Sequence, residues 1–92
     1  MNTAAKGRRN EHRTRDRLAA QGYGVMRAAG SKGTFDLHAY NNAHGRYVQV
    51  KTNEWPSPLE VEAMQTEPVP PGCSKEIWRW DDRARDPRVK VL

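Results

Sequence analysis

A chain of 92 residues and 10.5 kDa has room for one domain around one core, so multidomain organisation is excluded. Leu, Ile, Val and Phe together number only 13, so the three Trp, the three Tyr and a second copy of the chain are expected to supply the missing burial. Lys and Arg number 16 against 11 Asp and Glu, a net charge of +5, and no apolar run nears the roughly 20 residues of a membrane-spanning helix. The basic first residues lead into no apolar stretch of the kind a secretory signal needs, and the single Cys73 has no disulfide partner. The expectation is a soluble protein of a reducing cytoplasm.

Residues 6–21 have helix-forming composition after Gly7, and Gly22 is placed to cap the C-terminus. Residues 23–28 read as a short strand and Gly30-Ser31-Lys32-Gly33 as a tight loop. Residues 34–40 and 46–52 read as two strands of a hairpin turning at Asn41-Asn42-Ala43-His44-Gly45. Ser57-Pro58-Leu59-Glu60 has the form of a capping box with proline at the first helical position, opening a helix that must end before Pro68. Residues 75–80 and 88–91 form two further strands about a polar turn at residues 81–86. The order α-β-β-β-α-β-β gives an α+β fold with a largely antiparallel sheet flanked by helices.

The positive charge is uneven along the chain. Residues 1–53 carry ten Lys and Arg against three Asp and Glu, whereas residues 54–92 carry six against eight, so the first half is the one suited to a polyanion. Eleven of the cations are Arg, whose planar fork matches phosphate better than an ammonium does.

Strand alternation places Phe35, Leu37 and Ala39 on one face and Thr34, Asp36, His38 and Tyr40 on the other. In the next strand Val48 and Val50 match the core face and leave Tyr47, Gln49 and Lys51 on the polar one. Two hairpin registers remain open. One pairs Tyr40 with Tyr47, His38 with Gln49 and Asp36 with Lys51; the other, slipped by two residues, pairs Asp36 with Gln49. Either leaves Asp36 beside both Gln49 and Lys51. At about 100° per residue, Gly7, Glu11, Thr14 and Leu18 fall on one stripe of the first helix, and Leu18 is expected to turn that stripe toward the sheet. Lys6, Arg9, Arg13 and Arg17 form a basic stripe on the opposite side.

Two carboxylates, an amide oxygen and an ammonium at one sheet end suit a hard divalent cation and a polarised water. Asp36 is the expected central ligand, with the Gln49 amide oxygen and the Val50 backbone carbonyl beside it and Glu11 binding directly, through water or at a second metal position. Mg²⁺ is the natural occupant and Mn²⁺ a substitute. Lys51 is suited to orient or help deprotonate the attacking water and to balance charge on a phosphate. The competing bland assignment makes Asp36 a strand-start residue bonding nearby amides and pairs Glu11 with Arg15.

The run KGRRNEHRTRDRLAAQGYGVMRAAGSKGTFDLHAY...RYVQVKTN resembles the PD-(D/E)xK nuclease superfamily, and within it the archaeal-type Holliday junction resolvases and their small phage relatives. Those share an early helix with a Glu, an R-x-x-G-S-x-G-x-x-D segment and a strand carrying E-x-K. The resemblance implies a restriction-endonuclease-like core and assigns Glu11, Asp36, Gln49 and Lys51 to catalysis, with Ser31 near the scissile phosphate. The acid of E-x-K is here Gln49, as in the Q-x-K of virus-type replication-repair nucleases of the same superfamily. Lys6, Arg8, Arg9, Arg27 and Lys32 are expected to meet DNA. The implied function is a homodimeric, metal-dependent endonuclease acting on four-way junctions. The alternatives are a non-catalytic DNA-structure-binding module and a repair nuclease or nickase. Ile77, Trp78 and Trp80 are the expected dimer surface.

Overall fold

The computed structural model describes residues 3–27 and 34–92. Helix α1 spans Thr3–Ala20, starting three residues earlier than its composition suggested. It ends as Gly22 predicts: the Gly22 N–H donates to Ala19 O at 3.0 Å and the Tyr23 N–H to Leu18 O at 3.2 Å, with Gly22 at φ +93°. That crossed pair of bonds needs a left-handed residue, which glycine supplies without a Cβ clash. Strands β1 (Gly24–Arg27), β2 (Leu37–Tyr40) and β3 (Gly45–Thr52) follow. Helix α2 (Pro58–Thr66) opens on the expected capping box, with Ser57 Oγ accepting from Glu60 N–H and Glu60 Oε1 accepting from Ser57 N–H. Strands β4 (Cys73–Trp80) and β5 (Arg88–Val91) complete the order α-β-β-β-α-β-β.

The five strands lie in chain order, β1-β2-β3-β4-β5, and all neighbours are antiparallel except β3 and β4, which run parallel across the α2 connection. The helices cover opposite faces. Leu18 of α1 packs with Leu37, Ala39, Val48, Trp78 and Trp80, and on the far face Met64 of α2 packs with Phe35 and Ile77. Buried polar groups bind α1 to the sheet. The Trp80 Nε1–H donates to Thr14 Oγ1 at 2.8 Å, Thr14 donates to Asn10 O at 2.7 Å, and Asn10 Nδ2 donates to Thr52 Oγ1 at 2.8 Å.

The slipped hairpin register is the one adopted, pairing Leu37 with Val48, His38 with Tyr47 and Tyr40 with Gly45. Its turn is set by Asn41, whose Oδ1 accepts the N–H groups of Ala43 and His44. His38 consequently stacks on Tyr47 at 4.3 Å rather than lying beside Gln49. Phe35 departs from the expected face. Asp36 N–H donates to Val48 O, one residue out of the register that pairs Leu37 with Val48, so two residues of this strand oppose one of β3. Such a bulge breaks the alternation and sends Phe35 to the α2 side while Leu37 faces α1.

Two further expectations are corrected. Ile77, Trp78 and Trp80 are at most 2 % exposed within the single chain, so they form the core and are not available as a dimer surface. The basic stripe of α1 is not open to solvent along its length, because the β4–β5 turn folds back onto it. Lys6 pairs with Asp82 at 3.0 Å and Arg17 with Asp86 at 2.7 Å, while Arg13 donates to Ala84 O and lies 4.0 Å over the Trp80 ring. Helical periodicity carries no information about a turn about 70 residues away in sequence.

Candidate active site

The bulge places Asp36 where β1 stops pairing with β2, at one end of the sheet. Its Oδ2 accepts the Val50 N–H at 2.7 Å, so the carboxylate is fixed by the backbone of the strand that carries Gln49 and Lys51. Burial pushes the Asp36 carboxyl above its ordinary value, and the Glu11 charge adds to this, against the Val50 N–H and the positive charges of Lys51 and Arg27. Glu11, on the sheet-facing stripe of α1 with Thr14 and Leu18, is half-buried and 3.8 Å from the Arg27 guanidinium. The i+4 pairing of Glu11 with Arg15 does not occur; Arg15 turns instead to His12 at 2.8 Å and Asp16 at 3.9 Å.

Gln49 is buried, and its Nε2 donates to Thr34 O at 3.3 Å. Its Oε1 is the one buried side-chain oxygen or nitrogen among the described residues without a hydrogen-bond partner. Leaving such an acceptor dry is unfavourable by about 1 to 3 kcal/mol, and a cation relieves it. Lys51 Nζ lies 2.7 Å from Glu60 Oε2, and this hydrogen bond, with that from Ser57 N–H, holds the Glu60 carboxyl below its usual range. Glu60 was legible in the sequence as a helix cap but not as the partner of Lys51.

Glu11 lies within electrostatic reach of Asp36, and Asp36 is bonded to the backbone of Val50, the chain neighbour of Gln49, so two carboxylates, an amide oxygen and the Val50 carbonyl are the oxygen donors available at this end of the sheet. No three His, Cys, Asp or Glu side chains cluster as a metal cage among the described residues. These donor types suit a hard cation that retains several waters, since the raised Asp36 carboxyl and the unpaired Gln49 oxygen would each gain from a nearby positive charge.

Beside Glu11 a cleft opens, lined by Arg8, His12, Arg15, Arg27 and Leu37. Arg8 and Arg27, two of the residues expected to meet DNA, are therefore on one concave surface with Glu11. Arg15 and His12 were missed, although their spacing from Arg8 on a helix puts all three on one face. Arg9 is exposed outside this lining, and Lys6 is engaged with Asp82. Ser31 and Lys32 lie outside the described residues.

The chain is similar to the solved structure of Archaeoglobus fulgidus Hjc, a Holliday junction resolvase from an archaeal hyperthermophile, at a TM-score of 0.72 over 95 % of this chain and 71 % of that one. The two share one fold. Their sequences are 24 % identical, and the α+β architecture read from the element order is that of the resolvase. No protein-family model and no curated protein matches the sequence. Among the described residues no helix is long and apolar enough to cross a membrane.

Proposed function

We propose that the protein is a divalent-cation-dependent, structure-selective DNA endonuclease, and specifically a Holliday junction resolvase that nicks four-way junctions in pairs as a homodimer. The observation that carries this is the buried, unpartnered Gln49 Oε1 on the same sheet end as the destabilised Asp36 carboxylate, with Lys51 and Glu11 within range of its charge. The likeness to a resolvase supports the DNA substrate, and the arginine-lined cleft supports contact with its backbone.

Asp36, Gln49 and the Val50 carbonyl would hold Mg²⁺ or Mn²⁺, with Glu11 binding directly or through a water. The cation supplies Lewis acidity and a water of lowered pKa. Lys51, as an ammonium, donates to a non-bridging oxygen of the scissile phosphate and offsets the charge that grows there. Hydrolysis forms one P–O bond to the water oxygen and breaks the bond to one sugar oxygen, leaving a phosphate monoester and an alcohol. Arg8, Arg15 and Arg27 hold the adjacent phosphates, and Ser31 is proposed to approach the scissile one. Lys32 and Arg9 add to the phosphate-binding surface.

Incubating a labelled four-way junction with the protein in Mg²⁺, Mn²⁺ or EDTA tests the proposal. Cleavage in the metals and none in EDTA is expected. Tight junction binding without cleavage in either metal would favour a DNA-structure-binding module, the role to which a neutral Gln49 in place of an acid also points.

A further inference from the structure

We propose that Glu60 is a positioning residue for Lys51, a role that rests on the nuclease site described above and assigns the lysine a carboxylate partner outside its own strand. In the E-x-K pattern the acid and the lysine share one strand. Here residue 49 is an uncharged amide, and the carboxylate that meets Lys51 comes from the first turn of α2, at 2.7 Å.

The mount is specific. Glu60 Oε1 accepts the Ser57 N–H at 3.1 Å and Oε2 faces Lys51 Nζ, so one oxygen is committed to the helix cap and the other to the ammonium. A capping glutamate is a common device, and a half-exposed ion pair is ordinarily of little consequence. This pair differs in where its lysine stands: Lys51 is the chain neighbour of Val50, whose N–H holds the Asp36 carboxylate at 2.7 Å. One strand thus carries both the backbone group that fixes Asp36 and the lysine that Glu60 holds from α2. With Glu60 in place Lys51 is drawn toward α2. Without it the ammonium moves to Asp36 and competes with the cation for that carboxylate. Glu60 thus sets where the charge of Lys51 rests and keeps Asp36 open, without touching the reacting atoms.

A mutant cycle tests this. Single-turnover cleavage of a four-way junction in Mn²⁺, and junction affinity in EDTA, are measured for the parent, Glu60→Gln, Glu60→Asp, Ser57→Ala, Lys51→Ala and the double Lys51→Ala/Glu60→Gln. Glu60→Gln is expected to slow cleavage about ten- to a hundredfold while junction affinity stays within about twofold. Glu60→Asp should retain more of the rate than Glu60→Gln. Ser57→Ala loses the hydroxyl of the cap but keeps the backbone N–H that Glu60 accepts, so it should melt earlier and cut at close to the parental rate. In the Lys51→Ala background Glu60→Gln should change nothing further.

A readout independent of cleavage is the Lys51 ammonium resonance in protein labelled with ¹⁵N-lysine, expected to shift in Glu60→Gln and to hold in Ser57→Ala. Cleavage by Glu60→Gln at or above the parental rate, an undiminished effect in the Lys51→Ala background, or a Lys51 resonance indifferent to Glu60 would each overturn the assignment. A parent that cuts no junction in either metal would instead overturn the nuclease proposal, and the positioning role with it.

Discussion

Asp36 is the carboxyl of the candidate site that the fold pushes above its ordinary value. Its folded carboxyl binds a proton more tightly than an exposed aspartate does, chiefly through burial, so the folded chain holds more protons than the unfolded one. Stability contributed by this group therefore falls as pH rises from about 3.9 through the raised folded value. At neutral pH without metal, Asp36→Asn is expected to raise the melting temperature by about 2 to 5 °C, since Asn can still accept the Val50 N–H. It should abolish cleavage with little effect on junction affinity. Mg²⁺ should raise the melting temperature of the parent and not that of Asp36→Asn; melting curves in EDTA and in Mg²⁺ check both, and equal Mg²⁺ shifts would place the cation elsewhere. Gln49→Glu is the complementary change. It loses the Nε2 donor to Thr34 O and puts charge into a buried position, so it should melt below the parent in EDTA, recover in Mg²⁺ and bind the metal more tightly while still cutting.

At the scale of elements, β3 and β4 are joined by a buried carboxylate. Glu76 is 3 % exposed and accepts both Arg46 Nε and Nη2 at 2.8 Å, Ser74 Oγ at 2.6 Å and the Trp78 Nε1–H at 3.0 Å. Burial alone pushes its carboxyl up; the hydrogen bonds from Arg46, Ser74 and Trp78 outweigh this and hold it below the ordinary 4.5. A depressed folded value means the stabilisation is full above the unfolded pKa and is lost as pH falls through the folded one. Glu76→Gln is expected to destabilise the fold by about 3 to 5 kcal/mol at pH 7, because Arg46 is left unpaired. Urea melts from pH 7 down to pH 3 should show the parent losing this contribution below about 4.5 and the variant losing less. Parallel pH profiles would mean that Glu76 titrates as an exposed acid.

For the whole molecule, the tertiary fold redistributes the charge that the sequence displays. The β4–β5 turn engages Lys6, Arg13 and Arg17, whereas Arg8, Arg15 and Arg27 line the cleft beside Glu11. Replacing the three cleft arginines by Gln should weaken DNA binding alike for all sequences and flatten its salt dependence by about one unit of slope per lost phosphate contact. The same replacement at Lys6, Arg13 and Arg17 should lower the melting temperature and leave the slope nearly unchanged. Titrations at several salt concentrations distinguish the two triples, and equal slopes would refute the division of the basic residues. The working unit is expected to be a two-fold dimer, which matches two symmetric nicks in opposed strands. Sedimentation together with competition between a junction and linear duplex examines this. A monomer that cuts duplex and junction equally well would leave a general nickase.

The order of elements, the caps at Gly22 and Ser57, and the placing of Asp36 beside the strand of Gln49 and Lys51 are legible in the amino-acid sequence, because each rests on local geometry: turn chemistry and strand alternation. The sequence also narrowed the hairpin to two registers, in both of which Asp36 reaches Gln49 and Lys51. Only the tertiary structure chose the register, through the Asn41 turn, and turned Phe35 to the α2 face, through the bulge at Asp36. It made Trp78 and Trp80 core residues rather than a dimer surface, joined Lys51 to Glu60, and laid the 81–86 turn on the arginines of α1. The burial of the tryptophans and the seating of the 81–86 turn depend on contacts between segments far apart in the chain, and the register and the bulge on side-chain and backbone bonds within the hairpin, and no period or composition of a single segment encodes either.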